Sequence, residues 1–370
     1  MQKLSNLLPE GFHDSLPPYA EAGLRVERDV LDTLSSHGYA RVSPPLVEYE
    51  DVLTGRMTGS TKRDLMRFVD PISQRTLALR PDVTMQIGRI AATSLSGEAR
   101  PLRLSYSGQV LQLRSGQLHP ERCRLQIGAE LIGTDSVAAA SEIVSVAIEA
   151  LGQAGLAGIT VDFTMPDLID ILSAGPLPLN PAQARDVRSE LDMKDSGGLT
   201  ALGATGYLPL IEATGPFDDA MAKMRAFDSD NLLKSRLDGI AAIAANIKDK
   251  ANLTLDPTER HGFEYQNWFG FTLFAEGYVG AMGRGGSYEI PTNDGGTESA
   301  VGFSLYPGPL DAGFSAKQKD TVFLPLGHDT KAAAALRSEG WRTVAALSQA
   351  DKAEDLRCTH ILVGTDPQEI

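Results

Sequence analysis

The sequence predicts an α+β protein: an antiparallel sheet flanked by helices, a helical insertion within it, and a small C-terminal α/β unit. Three observations point there. Two runs with two-residue alternation, "LRLSYSGQVLQL" and "RCRLQIGAELIG", are joined by "RSGQLHPE", which has the length and composition of a hairpin loop. Over about residues 166–252 strand alternation almost disappears, and helical patterns such as "DDAMAKMRAF" and "LLKSRLDGIAAIAANI" replace it. From Asp320 a strand, "TVFLPLG", a helix, "KAAAALRSEG", and two strands, "WRTVAAL" and "THILVG", follow in order. Runs of strands segregated from runs of helices define the α+β class. The expected division is a core over residues 1–315, holding the insertion at about 166–252, and a small unit over 316–370.

Taken in order, a proline-punctuated opening, "LPEGFHDSLPP", precedes a helix from about Tyr19 to His37. Val26, Val30 and Leu34 recur four apart with Leu24 and Leu31 beside them, one apolar stripe, and Gly38 stops it. "YARVSPPLVEYEDVL" reads as a short strand ending in prolines. "RTLALRPDVTMQIGRIAA" reads as a strand feeding a helix, with Pro81 at the helix start, where its missing N–H costs nothing. After the hairpin, residues 137–155 form an alanine-rich helix and "GITVDF" a strand. Strands return after the insertion at "FEYQNWFGFTLFAEG", "YVGAMGRGGSYEI" and "SAVGFSLYP".

The bulk numbers exclude several classes. A net charge of -14 and a pI near 4.9 give no reason to expect a nucleic-acid surface. The two cysteines, Cys123 and Cys358, have no metal-ligand spacing around them, and the histidines other than His261 (His13, His37, His119, His328 and His360) are scattered. Neither a disulfide framework, a metal site nor a cofactor is expected. No run of about 18 apolar residues exists to span a membrane, so a cytoplasmic protein is expected. "GAMGRGGSYE" fails as a dinucleotide fingerprint, because the sixth position from Gly283 is Tyr288 and loop-like sequence follows.

The strand "RLQIGAELIG" has one odd face. Leu125, Ile127, Ala129 and Leu131 are apolar, whereas Arg124, Gln126, Gly128 and Glu130 line the other side. A buried carboxylate without a partner costs several kcal/mol, so Glu130 should meet a cationic or N–H group. Gly128 leaves room for a ligand between Gln126 and Glu130. The plainer reading is that both side chains bond Arg122, Arg124 or another internal partner. Asp82 likewise has an ordinary reading as an acidic residue in a first helical turn, and "GRGGSYE" as a tight turn.

In their order and spacing these pieces resemble the histidyl-tRNA synthetase group, with its class II synthetase fold. "LPEGFHD" looks like that group's entry motif, and "HGYARVSPPLVE" is similar to the first class motif, which implies a homodimer interface. "LALRPDVT" resembles the turn that receives the amino group of histidine; "YSGQVLQLRSGQLHPERCRLQIGAE" aligns with the second motif, and "GFEYQ" and "GGSYE" with the two histidine-specific motifs. The likeness spans roughly residues 8–310, and the C-terminal unit resembles a truncated anticodon-binding domain. It implies a histidine pocket of Asp82, Thr84, Gln126, Glu130, Tyr265 and Tyr288.

The ATP side of that pattern is degenerate. Gln112 stands where the resemblance places the arginine that grips the α-phosphate, Pro309 where the third motif places another, and His261 replaces a third, although Arg260 is one residue away. Losing one such donor costs about 10² to 10³ in rate, so adenylate chemistry is not expected. Gln266 further replaces a tyrosine and Ser287 an arginine of the histidine-specific motifs. A synthetase-like chain without ATP chemistry resembles the ATP phosphoribosyltransferase regulatory subunits. That resemblance implies no catalysis by the chain itself, a short-form catalytic subunit as partner in a hetero-oligomer, and histidine as feedback effector; tRNA is not an expected partner. The alternatives are a divergent histidyl-tRNA synthetase, or a synthetase-derived histidine-binding module with another partner.

Overall fold

Helix α1 (Tyr19–Ser36) buries Val26, Val30 and Leu34, the stripe read from its sequence, whereas Leu24 beside it is exposed. Gly38 follows in the left-handed region, φ +81°, and the amides of Gly38 and Tyr39 close the helix end on Ser35 O and Leu34 O. This is a computed structural model, and it describes residues 8–54, 65–113, 121–259, 266–308 and 320–370. The chain divides into two units, Met1–Leu310 and Asp311–Ile370.

The segment expected as one short strand makes two strands and a helical turn instead: β1 (Ala40–Arg41), β2 (Val47–Tyr49) and α2 (Glu50–Thr54). Pro44 and Pro45 fall between the strands because proline cannot donate to a ladder. Strands β3 (Arg67–Val69) and β4 (Thr76–Leu79) join β2 in a three-stranded sheet ordered β2-β4-β3. Helix α3 (Thr84–Ala92) begins three residues beyond Pro81, which therefore does not occupy the helix start expected for it. The chain is still extended at that point: Arg80 N donates to Leu46 O (3.1 Å) and Leu111 N to Arg80 O (3.0 Å).

Strands β5 (Leu102–Leu111) and β6 (Cys123–Ile132) form the expected hairpin, in unbroken register from Leu102↔Ile132 to Leu111↔Cys123. Helix α4 (Val137–Gln153), capped by the Ser136 hydroxyl on Ala139 N, leads to β7 (Thr160–Thr164). The helical stretch follows: α5 (Leu168–Ala174), α6 (Pro181–Asp192), α7 (Ser196–Ala201), α8 (Leu208–Glu212), the two-residue β8 (Gly215–Pro216), α9 (Phe217–Phe227) and α10 (Lys234–Ile247). It ends at β9 (Asn252–Leu255), before β10 (Gln266–Phe274), β11 (Gly283–Pro291) and β12 (Thr297–Leu305).

The main sheet runs β1-β5-β6-β12-β11-β10-β7-β9-β8, antiparallel except at β1–β5 and β7–β9. Helix α4 packs on β6 and β12, and α1 and α10 pack on α4. Helix α3 packs on β6 and β11, and its Val83 flank, Ile87 and Ala91 meet Leu104, Tyr106, Ile132 and Tyr288. Of these, Ile132 shares a face of β6 with Gln126 and Glu130, so α3 roofs the polar face.

The C-terminal unit contains β13 (Thr321–Leu324), α11 (Thr330–Ser338), β14 (Arg342–Ala345), β15 (His360–Val363) and β16 (Asp366–Glu369). Its order is β14-β13-β15-β16, around Val322, Leu324, Leu336 and Leu362. Strand β16 is not anticipated in the sequence, since "DPQE" has no apolar alternation; as an edge strand it tolerates Pro367. Among the described residues no helix is long and apolar enough to cross a membrane.

Candidate functional site

Strand β6 delivers Gln126 and Glu130 to a place where they are 0% and 1% exposed. Every polar atom there must find its partner within the protein. Gln126 does so completely: Oε1 accepts from Val83 N (2.9 Å), and Nε2 donates to Asp82 Oδ1 (2.9 Å) and Ser304 Oγ (2.7 Å). Asp82 Oδ1 also accepts from Thr84 N (2.7 Å), which fixes the entry to α3. Glu130 is held by two phenols, Tyr106 on Oε1 (3.0 Å) and Tyr288 on Oε2 (2.7 Å). The Tyr106 hydroxyl is shared further with Thr84 Oγ1 and Ser304 Oγ, both at 2.9 Å. Five of the six pocket residues (Asp82, Thr84, Gln126, Glu130 and Tyr288) thus meet in one buried cluster. Tyr265, His261 and Pro309 lie outside the described residues.

Two expectations about Glu130 are corrected. Its partners are hydroxyls, where a cation or N–H was expected. The space at Gly128 is filled, because a side chain there would overlap the Tyr106 ring and hydroxyl of the neighbouring strand. Nor do the arginines serve as partners: Arg124 lies over the Tyr306 ring (4.5 Å) and Arg122 beside the Phe12 ring (5.2 Å). Burial pushes the Glu130 carboxyl up to about 8, against the opposing effect of the two tyrosine hydrogen bonds. Burial also raises Asp82, opposed by Gln126 and Thr84. Glu130 is therefore largely a neutral acid at pH 7, and phenol oxygens serve either form because they both donate and accept.

The space left is small. A cavity of about 10 Å³, bordered by Thr84, Glu130, Gln266, Arg284, Tyr288 and Ser304, has room for about one water. Glycines make even that possible: a Cβ on Gly302 would run into the Glu130 carboxyl, and one on Gly286 into the Gln266 amide.

The departures from the synthetase pattern have local reasons. Gln266 Nε2 donates to Gly285 O (2.7 Å). Ser287 Oγ accepts from Trp268 N (3.2 Å) and Phe269 N (3.4 Å), where the β10–β11 register shifts and the amides lose their ladder partners. Gln112 closes the hairpin by its backbone, N to Arg122 O (2.8 Å) and O from Arg122 Nε (3.3 Å). Its side chain is a neutral amide, which cannot replace a guanidinium on a phosphate.

Three residues of the site escape the sequence reading: Tyr106, Ser304 and Arg80. Tyr106 was open to discovery, since pairing the two hairpin strands places it opposite Gly128. Arg80 is 6% exposed and ties the Asp82 loop to two other segments, Nε to Gln109 O (2.8 Å) and Nη1 to Pro44 O (3.0 Å) and Gln86 Oε1 (3.2 Å). Among the described residues no three His, Cys, Asp or Glu side chains gather as a metal site.

Comparison with known proteins agrees with this geometry. The histidyl-tRNA synthetase family model matches residues 11–310. The ATP phosphoribosyltransferase regulatory subunit of Rhodospirillum centenum is 39% identical, covering 98% of this chain and 96% of its own. That of Paramagnetospirillum magneticum is 38% identical, over 96% of each. Among solved structures, an ATP phosphoribosyltransferase regulatory subunit/histidyl-tRNA synthetase from Bacillus halodurans superposes with a TM-score of 0.79 at 21% identity, over 96% of this chain and 97% of that one. Histidyl-tRNA synthetase from Nostoc superposes at 0.78 and 16% identity, over 98% and 92%. With a synthetase-like fold and 38–39% identity to these relatives over nearly the full length of each, the chain belongs to the ATP phosphoribosyltransferase regulatory subunits.

Proposed function

We propose that the chain acts as the non-catalytic regulatory subunit of ATP phosphoribosyltransferase, activating a short-form catalytic subunit at the first step of histidine biosynthesis. We further propose that histidine, as feedback effector, enters at the Glu130 cluster, and that the chain forms a homodimer through the first-motif region within a hetero-oligomer. The observation that carries this reading is the asymmetry of the site. Asp82, Thr84, Gln126, Glu130 and Tyr288 gather as one unit, while the ATP side offers the Gln112 amide in place of an arginine.

A one-water cavity makes the described state a closed one. Histidine binding requires the Glu130–Tyr106 and Glu130–Tyr288 hydrogen bonds to yield to ligand groups, with movement of α3 through Thr84 or of β11 through Tyr288. Two states that differ in affinity for the effector are what coupling requires, and about 1–3 kcal/mol suffices. The acidic total of -14 favours a protein partner over tRNA.

The test is phosphoribosyl transfer from phosphoribosyl pyrophosphate to ATP by the short catalytic subunit, with and without this chain, titrated with histidine. Stimulation that histidine reverses, and that Glu130→Ala makes insensitive to histidine, is the expected result. Absence of both stimulation and association overturns the reading.

A further inference from the structure

Two guanidinium groups lie beside the Glu130 cluster, and among the described residues neither is ion-paired with a carboxylate. Arg284 of β11 stands directly across from Ser304 of β12, which in turn faces Gly128 of β6 and, beyond it, Tyr106 of β5. Register therefore puts Arg284 in the same transverse row as the hydroxyls that hold Glu130 and Gln126, and it borders the small cavity. Its Nε is buried and, among the described residues, has no hydrogen-bond partner. Arg124, two residues before Gln126, lies over the Tyr306 ring at 4.5 Å. It also borders a cavity of about 700 Å³ shared with Phe12, Tyr19 and the carboxylates of Asp14, Glu27 and Glu121, a volume in the range of small-molecule sites.

Arg284 feels the charge of Arg124. Burial holds both guanidiniums below their ordinary values; Arg124 lowers Arg284 further, while Tyr306 acts on both in the opposite direction, as do Glu121 on Arg124 and Glu259 on Arg284 from beyond ion-pair distance. Among the described residues neither is within ion-pair distance of a carboxylate. A half-buried pair of like charges with an unused donor costs free energy in the empty protein. An oxyanion, which accepts charge-assisted hydrogen bonds from both, relieves that cost.

We propose that Arg284 and Arg124, on either side of Tyr306, form an oxyanion receptor next to the Glu130 cluster, and that its occupant is the α-carboxylate of the amino-acid effector. This rests on the histidine reading above for the identity of the ligand, though not for the existence of the receptor. It supplies from β11 and β6 the cation that Gln112 and His261 do not.

The test is calorimetric titration of the full chain and of its Arg284→Met, Arg124→Met and Glu130→Gln variants, each first checked for an unchanged thermal transition. The probes are L-histidine, histamine, which keeps the imidazole and ammonium but lacks the carboxylate, and inorganic phosphate. Each arginine variant is expected to bind histidine at least tenfold more weakly and histamine unchanged. Equal losses for both probes, or no loss for either, overturn the proposal. Histidine binding that depends on Arg284 but not on Glu130 retains the receptor and removes the Glu130 pocket. If the wild type binds no histidine, phosphate decides: binding lost in both arginine variants leaves an oxyanion receptor whose source is phosphate, and no phosphate binding sinks it. Should Arg284→Met fail to fold, Arg124→Met, whose contact is a ring face, carries the same comparison.

Discussion

The Tyr106 hydroxyl occupies the position that a side chain on its cross-strand partner Gly128 would need. Strand β6 therefore needs glycine there for a reason opposite to the one its sequence suggests: the gap admits a neighbour from β5 rather than leaving a hole. Gly128→Ala is expected to displace Tyr106 and lower stability by about 1–3 kcal/mol, as overpacking of a close-packed core does. Tyr106→Phe in the Gly128→Ala background should recover part of the loss, because the phenol oxygen is the closest atom to the intruding methyl. Urea unfolding of both variants measures this.

Glu130 makes stability depend on pH in a direction unusual for a carboxylate. Its folded value is about 8 against 4.5 for the ordinary group, so between these limits the folded state holds a proton that the unfolded state has released. Stability contributed by the neutral acid is full below about pH 4.5 and declines by up to about 1.4 kcal/mol per unit as pH rises towards 8, where the loss is complete. Glu130→Gln removes that slope. Unfolding free energies at pH 5, 6, 7 and 8 should fall more steeply for the wild type than for the variant; parallel curves would rule out this assignment.

Arg80 joins the Asp82 loop to the Pro44 turn and the end of β5. Arg80→Met keeps most of the stem but leaves Pro44 O and Gln109 O without these donors. The expected cost is about 3 kcal/mol, from unsatisfied acceptors in a buried place. Histidine affinity should fall with it, since Asp82 loses the support of its loop. Denaturation and titration of the same preparation separate the two effects.

Adenylate chemistry should be absent, and one arginine should not restore it. The wild type is expected to show no histidine-dependent ATP–pyrophosphate exchange, and Gln112→Arg to show none either. The third-motif position remains Pro309, and each missing donor is worth about 10² to 10³ in rate. Exchange above background in Gln112→Arg would mean that the ATP side is closer to intact than its residues imply.

Local rules were enough for the elements whose period and punctuation are strong: α1 with its Gly38 stop, the β5–β6 hairpin, α4, and the helical stretch after β7. They failed where sequence-distant hydrogen bonds decide the backbone. Arg80, just before Pro81, is tied to Leu46 and Leu111 by its backbone, which delays the helix, and β16 exists because β15 offers it an edge.

That Gln126, Gly128 and Glu130 share one face of a strand follows from their spacing alone, because a two-residue period leaves no choice. The resemblance to the synthetase motifs implied that Asp82, Thr84 and Tyr288 stand beside them. What that face meets depends on strands far away in the chain. Register across β5, β6, β12 and β11 sets Tyr106, Ser304 and Arg284 in line with Gly128, and α3 closes over them. A carboxylate expected to wait for a cation is instead caged by two phenols. The reason is physical: partners of a buried polar group come from whichever strands lie beside it, and strand order is set by packing over the whole sheet.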